Sequence, residues 1–205
     1  MSTEFHALRV RSVVPDATDA VIVTFDVPDT LRDTYHYEAG QHLTLRQSVD
    51  GQELRRSYSI CAGADEQSLT VGVRKVRGGR FSTWLHEHVQ PGLQLDVMSP
   101  SGVFHVPTET SVRRHHVGIA AGSGITPILS IMKTVLAREP DSRFTLIYGN
   151  RRVASTMFKE ELEDLKNRYL SRLTVHYVFS AELTDNELLQ GRIDEAKMEI
   201  GRAHV

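Results

Sequence analysis

The apolar run Val117-Gly118-Ile119-Ala120-Ala121 leads directly into Gly122-Ser123-Gly124-Ile125-Thr126-Pro127, and no other stretch limits the fold as tightly. A short buried strand that turns through Gly-x-Gly into a helix belongs to parallel α/β architecture. The glycines let the backbone turn tightly and approach a phosphate group without a Cβ in the way. Thr126 is placed as an N-cap and Pro127 as the first helical residue, where a missing N–H costs nothing. Ile128, Ile131, Met132, Val135 and Leu136 then fall at i, i+3, i+4, i+7 and i+8, a single apolar stripe. Free N–H groups and the positive dipole end of that helix would face an anion. Alone, the same turn also makes strand-to-helix connections that bind nothing.

The chain before this turn follows a different pattern. Val21, Val23, Phe25 and Val27 alternate with other residues, as do Leu43 and Leu45, then Leu69, Val71 and Val73, then Leu93, Leu95 and Val97. Pro28-Asp29, Asp50-Gly51, Gly78-Gly79 and Pro91-Gly92 separate them as turns. One helical piece interrupts, from Ser82 as cap to Val89. Many short strands of this kind predict a small antiparallel barrel or sandwich. The polar segment Pro107–Ser111 reads as a linker, with the solvated pair His115-His116 soon after it. Strand (117–121), helix (127–138), strand (144–148), helix (156–169) and strand (173–179) then alternate, which predicts a parallel sheet. The expected organisation is a barrel domain over residues 1–107 and a nucleotide-binding domain over residues 115–198.

Composition narrows the function classes. The 205 residues carry a net charge of -2 without a basic block, which argues against a nucleic-acid partner. No apolar run reaches membrane-span length and the polar start is not a signal peptide, so a cytoplasmic setting is expected. The single Cys61 excludes an internal disulfide and a four-cysteine iron–sulfur site within these residues; it reads as a packing residue. His86 and His88 stand at i, i+2 on different sides of a helix, so no metal site is expected there.

Two stretches of the first half carry chemistry. In Arg55-Arg56-Ser57-Tyr58-Ser59-Ile60, a guanidinium, an aromatic ring and hydroxyls suit a flavin nucleotide: Arg56 for pyrophosphate, Tyr58 against a flat ring, Ser59 at the ring edge. An edge strand with exposed arginines would look similar. In Val73-Arg74-Lys75-Val76-Arg77-Gly78-Gly79-Arg80-Phe81-Ser82, a glycine pair precedes a helix start, a second anion cradle or an ordinary hairpin.

In order along the chain come Arg-x-Tyr-Ser, Gly-Gly-x-Phe-Ser, Pro100-x-Gly102-x-Phe104 and Gly-x-Gly-x-x-Pro, and together they resemble the ferredoxin–NADP reductase family over residues 4–198. Ala39–Leu45, Glu53–Cys61 and Phe144–Arg151 are most similar to its phenylacetyl-CoA epoxidase (phenylacetate degradation) reductase branch. The resemblance implies a six-stranded antiparallel FAD-binding barrel followed by an incomplete parallel α/β NAD(P)-binding domain. It implies flavin contacts from Arg56, Ser57, Tyr58, Ser59 and Val73, and a pyrophosphate loop of Gly78, Gly79, Arg80, Phe81 and Ser82. Gly122, Ser123, Gly124 and Pro127 match the nicotinamide-cofactor turn, while Asn150, Arg151, Ser180 and Arg192 match positions on the nucleotide side. Thr126 matches a threonine that reaches the flavin; with Ser59 it is the choice for a catalytic residue, in the sense of positioning.

The activity implied is transfer of electrons from NADPH through FAD to a [2Fe–2S] centre serving an oxygenase or ferredoxin-type acceptor. Arg151 and Arg152, with no carboxylate directly after Tyr148, favour NADPH over NADH. Other reductases of the family, with FAD or FMN, remain open, as does a flavin-binding electron-transfer subunit that is not reduced by a nicotinamide. The chain lacks the later Cys-Gly motif and the cysteine-rich [2Fe–2S] domain of such reductases, so it is expected to be an impaired fragment. Residues 199–205 continue no pattern and can be encoded by gagatcggaagagcacacgtc, which resembles a sequencing adapter; they are expected to be a non-native tail after Met198.

Overall fold

The computed structural model describes residues 4–182 and 189–195. The expected tail at 199–205 and the last residues of the 115–198 segment lie outside them. Six strands form the first sheet: β1 (Phe5–Pro15), β2 (Ala20–Asp26), β3 (His42–Val49), β4 (Gln52–Ser59), β5 (Leu69–Arg74) and β6 (Gln94–Met98), in the order β4-β3-β6-β1-β2-β5. Every pairing is antiparallel. The sheet curls until its two edges meet, where Ile60 bridges Val71 and the Cys61 N–H donates to the Thr70 carbonyl at 2.9 Å. Period-two alternation sends Leu8, Val10, Val23, Phe25, Leu43, Leu45, Val71 and Val97 into its core. The register of β1 shifts between Val10 and Ser12, which breaks its alternation and hides the strand from a periodicity reading.

Helix α1 (Arg80–His88) buries Phe81, Ser82 and Leu85 against this barrel. Its N-cap is Gly79, so Ser82 lies within the helix and does not cap it as expected.

The second sheet holds β7 (His115–Ala121), β8 (Arg143–Asn150) and β9 (Leu173–Phe179), parallel and in chain order, with α2 (Ile125–Arg138) and α3 (Lys159–Arg168) as crossovers. A 3-10 turn over Gly122–Gly124 precedes α2, whose N-cap is Gly124. Thr126 and Pro127 therefore sit inside the first turn, two positions further into the helix than the capping pattern predicts, and the Thr126 hydroxyl donates to the Ser123 carbonyl at 3.1 Å. Helix α3 starts at Lys159, not Thr156, because Phe158 adopts a left-handed backbone (φ 57°) and its N–H is tied to the Asp16 carboxylate at 3.0 Å.

The histidine pair is not solvated. His115 Nε2 lies 2.8 Å from Thr145 Oγ1, and His116 Nε2 lies 3.0 Å from the buried Glu139 carboxylate. These contacts draw the end of the linker onto the second sheet.

The apolar core of the α/β half does not stop at the domain junction. Ala20, Ala39 and Cys61 from the barrel side pack in one cluster with Ile125, Leu129, Ile131, Met132 and Phe158. Gly72 in β5 makes that approach possible: a Cβ there would stand 2.7 Å from Phe158 Cζ, 2.9 Å from Thr126 Cγ2 and 3.0 Å from Met157 Cε.

Candidate cofactor cleft

Strands β4 and β5 and the Gly122–Gly124 turn enclose a cleft of about 530 Å³. Ser57, Tyr58, Ser59, Gly72 and Arg74 line it from the barrel; Ser123, Gly124, Thr126 and Pro127 line it from the α/β half. Register explains the β4 side. Tyr58 pairs with Leu43 and Ser57 with Thr44, so the ring shares the face of a core leucine while the Ser57 hydroxyl meets Thr44 Oγ1 at 3.1 Å. The Tyr58 ring packs on Phe81, with centroids 6.2 Å apart, and burial pushes its hydroxyl up to about 12, so it stays neutral. Arg56 is exposed and donates to the Arg55 carbonyl.

The glycine pair before α1 forms a cradle. Gly78 has φ +73° with open space where a side chain would stand, and a Cβ on Gly79 would come within 2.7 Å of Ser82 Oγ. Ser82 Oγ accepts from the Val76 N–H at 3.1 Å and donates to the Gly79 carbonyl at 3.3 Å, fixing the loop's curvature. No side chain caps α1, so its first N–H groups remain available to an anion. A flavin dinucleotide fits this set: a small-residue cradle for pyrophosphate beside a neutral aromatic face. Arg80 is the exception within the loop, since its guanidinium reaches Gln52 Oε1 at 2.7 Å and the Val49 carbonyl at 3.1 Å, bracing the β3–β4 hairpin. Val73 is fully buried in the barrel core and borders the site only through its backbone neighbours.

A second cavity, about 380 Å³, opens at the carboxyl ends of β7 and β8 and is lined by Gly122, Asn150, Arg151, Ser180 and Arg192 among others. That position is where open α/β sheets receive nucleotides. The Ser180 N–H donates to the Asn150 carbonyl at 3.0 Å, which joins the ends of β8 and β9. Arg152 does not line the cavity; its N–H donates to Ser155 Oγ at 3.2 Å and it opens the turn Val153–Ser155. Among the described residues, nothing lies within 4 Å of a Cβ position on Gly124, which leaves the backbone of the turn open on that side.

Three residues that pattern reading did not single out shape the site. Tyr148, fully buried in β8, donates from its hydroxyl to the Gly122 carbonyl at 2.9 Å and holds the glycine turn down. Arg74 pairs with Asp19 at 3.0 Å, donates to the Ser155 carbonyl and lies against Gly122, spanning both halves. Gly72 leaves room for the junction. Of these, only a glycine inside a strand carries a signal in sequence. His86 Nε2 and His88 Nδ1 lie near the carbonyls of Val73 and Trp84, at 3.1 and 3.0 Å, on separate sides of α1. Burial pushes the Cys61 thiol up to about 12, leaving an unreactive packing group.

Among the described residues no helix is long and apolar enough to cross a membrane. Residues 8–106 match the model of the oxidoreductase FAD-binding domain, and residues 119–203 that of the oxidoreductase NAD-binding domain. The chain is 47% identical over 197 residues to a component of the 1,2-phenylacetyl-CoA epoxidase of Escherichia coli (strain K12), covering 96% of this chain and 55% of that protein. It is 37% identical to the ferredoxin reductase component of 3-ketosteroid-9-alpha-monooxygenase from Rhodococcus rhodochrous, covering 85% of this chain and 50% of that protein. Among solved structures, the CS-b5R domains of human Ncb5or in the NAD+ form share the fold, with a TM-score of 0.82 at 21% identity over 98% of this chain and 58% of that one. The chain thus spans about half the length of the curated relatives it matches. The single Cys61 means that no four-cysteine [2Fe–2S] domain is part of it. With both cofactor domains matched in order and their cradles formed, the chain belongs to the ferredoxin–NADP reductase family of FAD- and NAD-binding oxidoreductases.

Proposed function

We propose that the protein acts as the reductase component of an oxygenase system of the phenylacetyl-CoA epoxidase kind, drawing electrons from NADPH and passing them through FAD toward a [2Fe–2S] centre and an oxygenase. The observation that carries this reading is the cleft that sets Tyr58 and Ser59 across from Ser123, Gly124 and Thr126. When bound, the flavin and nicotinamide supply the hydride and single-electron chemistry. The chain's own residues bind and orient. Gly78 to Ser82 hold a pyrophosphate on backbone N–H groups, with Arg56 as counter-charge. Tyr58 lies against the flat ring system, while Ser57 and Ser59 offer hydroxyls to its edge. Ser59 and Thr126 are positioning residues on opposite walls, and no side-chain acid or base is required.

On the nucleotide side, Gly122, Ser123, Gly124 and Pro127 admit the second pyrophosphate, and Asn150 and Ser180 flank its adenosine half. Arg151 and Arg192 supply the cationic partners that a 2′-phosphate needs, which favours NADPH over NADH. The functional units are residues 1–107 and 115–198, and the setting is the cytoplasm.

Anaerobic titration tests the proposal. Purified protein incubated separately with FAD and FMN is desalted, and NADPH or NADH is then added without oxygen. Retained FAD that bleaches with NADPH supports the reading. A protein that comes off the column colourless after incubation with FAD refutes it. In a chain extended to the length of its relatives, retained flavin that stays yellow with both nucleotides supports instead an electron-transfer module fed by a protein partner.

A further inference from the structure

The loop that leaves the Tyr58–Ser59 strand is gripped by one face of α2. Ser130, Lys133, Thr134 and Arg138 stand at i, i+3, i+4 and i+8, so they project from a common side of the helix. Each meets the loop after Ile60. Ser130 Oγ donates to the Ala62 carbonyl at 2.6 Å, a buried bond, and Thr134 Oγ1 accepts from the Ala64 N–H at 3.0 Å. Lys133 donates to Glu66 at 3.3 Å and also pairs with Glu161 of α3. Arg138 takes both oxygens of Asp65, Nε at 2.8 Å and Nη2 at 2.7 Å. The loop is short and tight: the Cys61 N–H is bonded to Thr70, and the Glu66 N–H to the Gly63 carbonyl. Little slack therefore separates Ser59 from the residues that α2 holds.

Stability is a weak explanation for this arrangement. The Arg138 and Asp65 side chains are 41% and 52% exposed, the regime in which ion pairs add little to folding. Orientation is a better one, because bidentate and buried hydrogen bonds fix angles as well as distances. At the other end of α2, about 18 Å from Arg138 by helical rise, stand Thr126 and the glycine turn. A helix is stiff over that length, so a grip along its middle and end sets where its start lies relative to β4.

On the functional reading above, we propose that Ser130, Lys133, Thr134 and Arg138 are positioning residues: through the 61–66 loop they hold the glycine turn at a fixed distance from the strand that carries Tyr58 and Ser59.

The variant Lys133→Met/Arg138→Ala tests this by two routes. In the first, spin labels at the exposed sites Ser48→Cys in β3 and Glu160→Cys in α3 report the distance between the two halves without any cofactor. The parent should give one narrow distribution, and the variant a broader or displaced one with unchanged far-ultraviolet circular dichroism. In the second, FAD-loaded protein is mixed with NADPH anaerobically. The limiting rate of flavin bleaching should fall roughly ten- to a hundred-fold, the size expected of an ångström-scale misplacement, while FAD content and half-saturating NADPH hold. Exchanging the charges, Asp65→Arg with Arg138→Asp, should recover most of the rate that Asp65→Arg alone loses. An unchanged distance distribution overturns the proposal, as does a limiting rate within about twofold of the parent. If the parent's own flavin is not reduced, the functional reading fails, and the spin-label distances still decide the clamp.

Discussion

Gly72→Ala is the substitution that most directly probes how the two halves meet. The new methyl carbon would stand 2.7 Å from Phe158 Cζ, 2.9 Å from Thr126 Cγ2 and 3.0 Å from Met157 Cε, all closer than carbon atoms pack. Met157 can swing its flexible end aside. Phe158 cannot do so easily, because it is buried and its left-handed backbone is tied to Asp16. Overpacking of this kind costs about 1–3 kcal/mol, which for a chain of this size is roughly 2–12 °C in Tm. The alternative response is for Thr126 and α3 to back away from β5, which widens the cleft. Either way FAD retention should survive, since Tyr58 and the Gly78–Ser82 cradle belong to the barrel alone. The assay is a pair of measurements on FAD-loaded protein: thermal melting, and the limiting rate of anaerobic bleaching by NADPH. A variant that melts within about 1 °C of the parent and is bleached at the parental rate would refute the argument that close approach at Gly72 sets the junction.

Other substitutions separate the remaining parts of the site. Arg151→Ala and Arg192→Ala should each weaken NADPH by about 1.5–3 kcal/mol and leave NADH nearly unaffected, read as the ratio of half-saturating concentrations; equal losses for both nucleotides would remove these residues from 2′-phosphate recognition. Ser82→Ala removes the bond that holds the Val76 N–H, so it should cost about 0.5–1.5 kcal/mol in urea unfolding and lower FAD affinity in a fluorescence-quenching titration. Burial pushes the Glu139 carboxyl up, but the Ser142 hydroxyl, the His116 ring and the Glu109 N–H outweigh it and hold the group below its ordinary value of 4.5. A depressed carboxyl stabilises fully above the unfolded value and loses that contribution as pH falls through the folded one. Glu139→Gln should therefore flatten the decline of the urea midpoint below about pH 4.5, and an unaltered acid limb would contradict this.

Local pattern carried much of the architecture. The period-two runs around Val23, Leu43, Val71 and Val97 face the barrel core, and the stripe from Ile128 to Leu136 lies on a helix between parallel strands. Both signals survive in one dimension because burial repeats along the chain with the period of the backbone. Helix starts were less legible. Thr126 and Ser82 look like caps, yet each sits inside its helix, because Gly124 and Gly79 supply the turn and the hydroxyls bond to carbonyls of the preceding loop. A hydroxyl's choice between an N–H ahead and a carbonyl behind depends on where the loop is held, which neighbouring residues in sequence do not reveal.

The linear order of residues was enough to specify an antiparallel barrel, a parallel sheet, a glycine cradle at the start of a helix in each, and the family to which they belong. Those properties depend on spacing within a few residues. Folding in three dimensions decided the rest: that Arg80 braces a hairpin, that Tyr148 pins Gly122, and that Gly72, Arg74 and the Ser130–Arg138 face bind the halves together. Such contacts join residues dozens of positions apart. Their energies come from distances that only the packed chain defines.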